Sequence, residues 1–223
     1  EKPVQLRRDE HGVVYIEAKT DHDAFFAMGY AHAQDRLWQL ELQRRIASGT
    51  LSEAFGSQTV DQDSWMRTLD FYGSAKSALT ALDQSAVDSL TAYANGINAW
   101  LQNDPVLPAE FIVLDIQPQP WRVLDSIAWS KVFALNLSAN MGQEIKNLIS
   151  KKHLSEVQTQ VLMSQYPQDT PVTISNIELG AQNALSSLLG LQQQLEQQLK
   201  IGGKYVGSNG WVVSGKLTDS GHP

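Results

Sequence analysis

The chain contains no cysteine, which excludes disulfides, thiol nucleophiles and thiolate metal sites together. Positive charge is also scarce. Lys and Arg number 17 against 24 Asp and Glu, a formal net charge of −7, and no basic block stands out against that balance. A nucleic-acid partner, which needs a basic surface, is therefore not expected. No apolar run approaches the length of a bilayer-spanning helix. The charged opening EKPVQLRRDE lacks the apolar centre of a signal peptide, so any export signal is expected to have been removed. No repeat recurs at a solenoid period.

What is present suits a folded core, with 42% hydrophobic and 18% charged residues over 223 positions. Val4–Leu6 and Val13–Ile16 flank Asp9-Glu10-His11-Gly12, which predicts an opening β-hairpin. Thr20, with Asp23 three residues on, predicts the N-cap of a long helix. Its apolar face runs through Phe26, Tyr30, Ala33, Leu37, Leu40 and the stem of Arg44, and Gly49 supplies the stop. His32, Gln34, Asp35 and Arg36 lie on this helix, where Asp35 and Arg36 are expected to form a buried ion pair rather than a reactive site. Asp61 or Asp63 is expected to cap one helix through Trp65, Leu69, Tyr72 and Leu79. Asp83 caps another, striped by Val87, Leu90, Tyr93, Ala94, Ile97 and Leu101.

Four prolines make residues 104–122 a mostly extended connection. Asp125 is expected to cap the next helix, through Ile127, Trp129, Val132, Phe133 and Leu135. Glu144, Lys146, Lys151 and Lys152 sit on its solvated continuation, and a further helix is expected over 155–165. Beyond Pro171 the composition shifts to glutamine, leucine and serine. In KYVGSNGWVVSG, residues 204–215, Gly207-Ser208-Asn209-Gly210 is turn-forming and Trp211–Val213 predicts a short strand. On these residues alone, a serine in an ordinary hairpin turn is the preferred reading over a nucleophile held by a rigid turn.

Four stretches in order resemble the penicillin acylase (penicillin amidase) family of N-terminal nucleophile hydrolases. RRDEHGVVYIEA resembles the family's RDxxGVPHI hairpin, with Val14 and Tyr15 in place of proline and histidine. GYAHAQDRLWQLELQRRIASGTLSEAFG is similar to its GYxxAQDRLWQM helix, with Leu40 for methionine. LPAEFIVLDIQPQPWRVLDSIAW resembles its LPxEF…PxPW…D connection. GSNGWVVSGKLTDSGHP is similar to the start of its catalytic subunit, SNxWVVSGxxTxSGxP.

The resemblance implies an α+β chain: a mostly helical fragment with an N-terminal hairpin and a C-terminal strand, part of an αββα fold. It implies α chain over 1–170, a linker or spacer peptide over 171–207, and a truncated start of the β chain over 208–223. It implies that Ser208 is the catalytic nucleophile, exposed by autoproteolysis at the Gly207–Ser208 junction. A freed α-amino group would be its base, with a pKa of about 7.7–8.0 where a peptide nitrogen has none. The reaction implied is cleavage of N-acyl amides, of the penicillin side-chain or acyl-homoserine lactone type, with the oxyanion hole on the remaining β chain of the same precursor. QEIKNL, with Lys146 where the family has aspartate, implies that Glu144 is one ligand of a structural calcium. The compartment implied is periplasmic or secreted, and the fragment alone is expected to be inactive. The other reading is a non-catalytic helical binding or interaction module.

Overall fold

The computed structural model describes residues 2–137, 141–151, 153–162, 187, 189–190, 210 and 212–222. They divide into two units, Glu1–Ser138 and Ala139–Pro223.

The first unit opens on an antiparallel hairpin, β1 (Gln5–Arg8) and β2 (Val14–Glu17), with Leu6 opposite Ile16 and Arg8 opposite Val14. Its turn is closed by Asp9, whose Oδ1 accepts from the His11 and Val13 N–H groups, each at 2.9 Å. The predicted hairpin is therefore present, and it is the one strand pairing among the described residues.

The long helix α1 (Asp21–Ser48) begins where Thr20 Oγ1 accepts from Asp23 N at 3.2 Å, and it ends at Gly49, whose φ of 62° is left-handed. Both ends were legible locally, because a cap is a contact between near neighbours. The core-facing line is shifted from the predicted one. Ala27, Ala31, Ala33, Leu37 and Leu40 are buried, whereas Phe26 and Tyr30 are half-buried. The reason lies in α5 (Gln84–Gln102), capped by Asp83 as predicted. A Cβ at Gly29 would run into the Tyr93 carbonyl oxygen, and one at Gly96 into that of Phe26. The two backbones touch there, and large side chains are turned to the flanks.

Ala33, Leu37 and Leu40 of α1 pack with Ala94 and Ile97 of α5, and with Phe111 and Trp121. Burying Phe111 and Ile97 fully contributes roughly 1.5–3 kcal/mol each. Phe111 belongs to α6 (Ala109–Val113), a short helix inside the proline-rich connection, which is therefore less extended than its prolines suggested. Asn98 docks the end of that connection. Its side-chain oxygen accepts from Trp121 N at 2.7 Å and its amide donates to Trp121 O at 2.9 Å.

The single helix expected through Trp65, Leu69, Tyr72 and Leu79 is broken. After α2 (Ser52–Phe55) and a 3-10 turn, α3 (Val60–Leu69) ends at Asp70, which takes φ 48°. Asp70 then caps α4 (Phe71–Ala81) by accepting from Gly73 N at 2.9 Å. Asp61 and Asp63 do not cap α3. Asp63 instead accepts from Leu51 N and Ser52 N at 2.8 and 2.7 Å, tying α3 to the start of α2. α7 (Val123–Leu137) packs against α4 and α1.

In the second unit, α8 (Met141–Lys151) and α9 (Glu156–Leu162) are helical as predicted, with residues 163–165 outside the described ones. Ser155 and Gln158 cap α9 reciprocally: Gln158 N donates to Ser155 Oγ at 3.3 Å and Ser155 N to Gln158 Oε1 at 2.9 Å. The C-terminal strand is not formed at its described residues. Val212–Ser214 are irregular and lead into a 3-10 turn, Gly215–Leu217. A strand signal needs a ladder to join, and the only described ladder is β1–β2.

Candidate functional site

In the first unit, charged side chains answer one another at the corners of the fold. Arg8 of β1 grips Asp35 of α1 with both guanidinium nitrogens, at 2.8 and 2.9 Å, and Gln34 Oε1 at 2.8 Å. This overturns the expected Asp35–Arg36 pair. Asp35 is partly exposed and bound to the hairpin, while Arg36 is exposed at a kink in α1, with φ −138° and ψ 29°. Consecutive helical residues point about 100° apart, so neighbours seldom share a partner. His32 Nδ1 lies 2.9 Å from the Tyr93 hydroxyl, and burial pushes Tyr93 up to about 12. That phenol stays protonated at neutral pH and is a linker, not a base. Glu41, almost wholly buried, pairs with Arg44 and with Arg45 Nε at 2.7 Å, and Arg45 reaches Glu53 at 3.0 Å.

A cluster that sequence reasoning only half identified surrounds Asp125, which is fully buried. Asp125 lies in the first turn of α7 rather than before it. It accepts from Arg122 N at 2.8 Å, from the Arg122 guanidinium at 2.9 Å, and from the Tyr72 hydroxyl of α4 at 2.5 Å. Burial first, and Asp125 second, push the Tyr72 phenol well above its usual range. The side chain therefore does more than cap: it locks α4 to α7. The tyrosine partner, far away in sequence, left no local signal.

The residues expected to carry chemistry are less fully placed. Gly207 and Ser208 lie outside the described residues. Just beyond them, Thr218 Oγ1 donates to His222 O at 2.7 Å, so residues 214–222 fold as a turn closed on itself. Glu144 lies in the first turn of α8 with an exposed side chain. Among the described residues no three His, Asp or Glu side chains come together in a way that could hold a metal ion. Calcium takes six to eight oxygens, so Glu144 fits a calcium site only as one ligand among others supplied from elsewhere. No helix of the described residues is long and apolar enough to cross a membrane.

Comparison with known proteins gives a consistent answer. The chain is 31% identical over 230 residues to the penicillin acylase 2 proenzyme of Pseudomonas sp. (strain SE83), covering 99% of this chain and 29% of that protein. It is 28% identical over 225 residues to the acyl-homoserine lactone acylase QuiP of Pseudomonas syringae pv. syringae (strain B728a), covering 98% of this chain and 27% of the relative. The chain thus spans under a third of the length of these curated relatives. Among solved structures, a thermostable penicillin G acylase from Alcaligenes faecalis superposes with a TM-score of 0.62 at 26% identity, over 79% of this chain and 98% of that one. The family model for penicillin amidase matches residues 3–223, from the strand before the first turn to the last residue of the sequence, and the chain belongs to the penicillin amidase family.

Proposed function

We propose that the chain is the leading part of an acylase precursor: α chain over 1–170, linker or spacer over 171–207, and the first residues of the β chain from 208. The observation that carries this reading is the family match, which runs through Ser208 and on to residue 223. Two further findings support it. A relative matched over 99% of this chain is itself named a proenzyme. Residues 1–170 make up about three quarters of the sequence, close to the 79% share matched by the solved acylase chain. The same family match weighs against a purely structural helical module.

In this reading, cleavage of the Gly207–Ser208 bond creates nucleophile and base together. A serine hydroxyl is a weak nucleophile until a base takes its proton, and a new α-amino group titrates near working pH. Gly207 suits the cut, since a residue without Cβ lets an attacking group approach the scissile carbonyl. Ser208 Oγ attacks the substrate carbonyl as its proton passes to the amine. The C–N bond then breaks, the proton leaves with the amine product, and an acyl-serine ester remains. Water attacks that ester, the acid departs and the hydroxyl is restored. The oxyanion donors, each worth about a hundredfold or more in rate, would come from the remaining β chain. The hairpin would join a central sheet of an αββα fold completed by that chain.

The substrates proposed are N-acyl amides, penicillins or acyl-homoserine lactones, and the proposed compartment is periplasmic or secreted. Glu144 would lend one oxygen to a calcium ion that fastens α8 in place. Intact-mass spectrometry of the complete precursor tests the core of the proposal. A new amino terminus at Ser208 is expected, and the Ser208→Ala variant stays uncut. An active enzyme with the 207–208 bond unbroken would overturn it. Turnover of phenylacetyl against long-chain acyl amides then assigns the substrate class.

A further inference from the structure

Beside the first turns of α1 lies a cavity of about 370 Å³, within the size range of small-molecule sites. Its walls are apolar: Val4 and Leu6 on the hairpin side, and Phe26, Ala27 and Tyr30 on the helix. Asp23, His22 and Lys2 supply its polar groups. Asp23 is only 5% exposed, and a carboxylate so placed needs partners. The donors on it converge on one oxygen. Oδ2 accepts from the Thr20 hydroxyl at 2.7 Å and from Lys2 N at 3.2 Å, whereas Oδ1 faces His22 Nδ1 at 3.6 Å, too far for a full hydrogen bond. The Thr20 hydroxyl is also the main reason that this carboxylate sits below its usual range and stays ionised.

An ionised, buried carboxylate with acceptor capacity to spare, set in the lining of an apolar chamber, selects for a cation with a hydrocarbon body. Strongly hydrated inorganic cations find too few oxygens there. We propose that this cavity is a binding site for a small apolar primary amine, its ammonium on Asp23 and its body between Phe26, Ala27 and Tyr30. The proposal does not depend on the precursor reading.

Calorimetric titration of the 223-residue chain with benzylamine at neutral pH, beside benzyl alcohol of the same shape, tests it. Saturable one-to-one binding of benzylamine is expected, with benzyl alcohol at least about tenfold weaker because it lacks the charge-assisted bond. Asp23→Asn should bring the two ligands level, and Ala27→Phe should abolish binding of both. Circular dichroism and the melting temperature identify any variant that fails to fold, and the alcohol-to-amine ratio in the unaltered chain needs no variant at all. Equal affinity for amine and alcohol, no saturation by benzylamine, or undiminished binding to folded Ala27→Phe would each overturn the proposal.

Discussion

Asp125 is the residue on which the junction of two helices turns. It is fully buried and holds the Tyr72 hydroxyl, the Arg122 N–H and the Arg122 guanidinium. Asp125→Ala removes every one of these and leaves a half-buried phenol without its acceptor, so a loss of roughly 2–4 kcal/mol is expected in urea unfolding. Tyr72→Phe, which deletes one hydrogen bond and no charge, should cost about 1 kcal/mol. Equal losses in the two variants would mean that Arg122 contributes nothing. Three other aspartates govern the response to acid. Asp9 is held below the usual range chiefly by the Val13 N–H, Asp23 by the Thr20 hydroxyl, and Asp83 by the Ala86 N–H. Each therefore binds fewer protons folded than unfolded. Their stabilisation is complete above the unfolded value of about 3.9 and is lost as pH falls through the lower folded values. The melting temperature should drop between pH 5 and 2, and Asp83→Asn should flatten part of that drop; an unchanged slope would remove Asp83 from the account.

At the scale of elements, α1 and α5 are held by an absence of side chains. Gly29→Ala or Gly96→Ala would drive a methyl group into a carbonyl oxygen of the facing helix, and overpacking of this kind costs typically 1–3 kcal/mol. Urea midpoints should fall for both, whereas alanine at the exposed Asn95 should leave them nearly unchanged. The hairpin is fastened differently, by Arg8 on Asp35 and Gln34. That pair is half-exposed and worth little globally. Arg8→Ala should therefore speed amide exchange in β1 and β2 while leaving α1 and α5 protected; uniform loss of protection would contradict this. These elements differ in how legible they were. Thr20, Gly49 and Asp83 could be read as caps because a cap involves residues two to four apart. The break at Asp70 could not, since positive φ is uncommon for any residue but glycine; here the Asp70 side chain holds Gly73 N while its own N–H reaches Met66 O and Arg67 O. Arg8 and Asp35 are 27 residues apart, and composition carries no record of such a meeting. Glu144 was placed on a helix correctly by pattern, but its proposed role comes from family resemblance alone.

For the whole molecule, the decisive feature is the apolar surface left uncovered. On α9, Val157 and Val161, one helical turn apart, are 70% and 78% exposed, and Leu162 beside them is 70% exposed. Single exposed apolar residues are ordinary, but clustered ones mark surfaces that associate. Gel filtration across a hundredfold range of concentration should therefore reveal self-association of the 223-residue chain; a monomer throughout would count against it. The crossing of α1 and α5 also bears on how the chain tolerates change in length. Because Gly29 packs against the Tyr93 backbone and Gly96 against that of Phe26, everything between these contacts, α2 to α4 included, is a loop closed by the crossing. Loop closure depends only logarithmically on length, about 0.6 kcal/mol for a doubling. Residues inserted at an exposed turn of that loop should be absorbed with little loss, while one added carbon at either glycine is not.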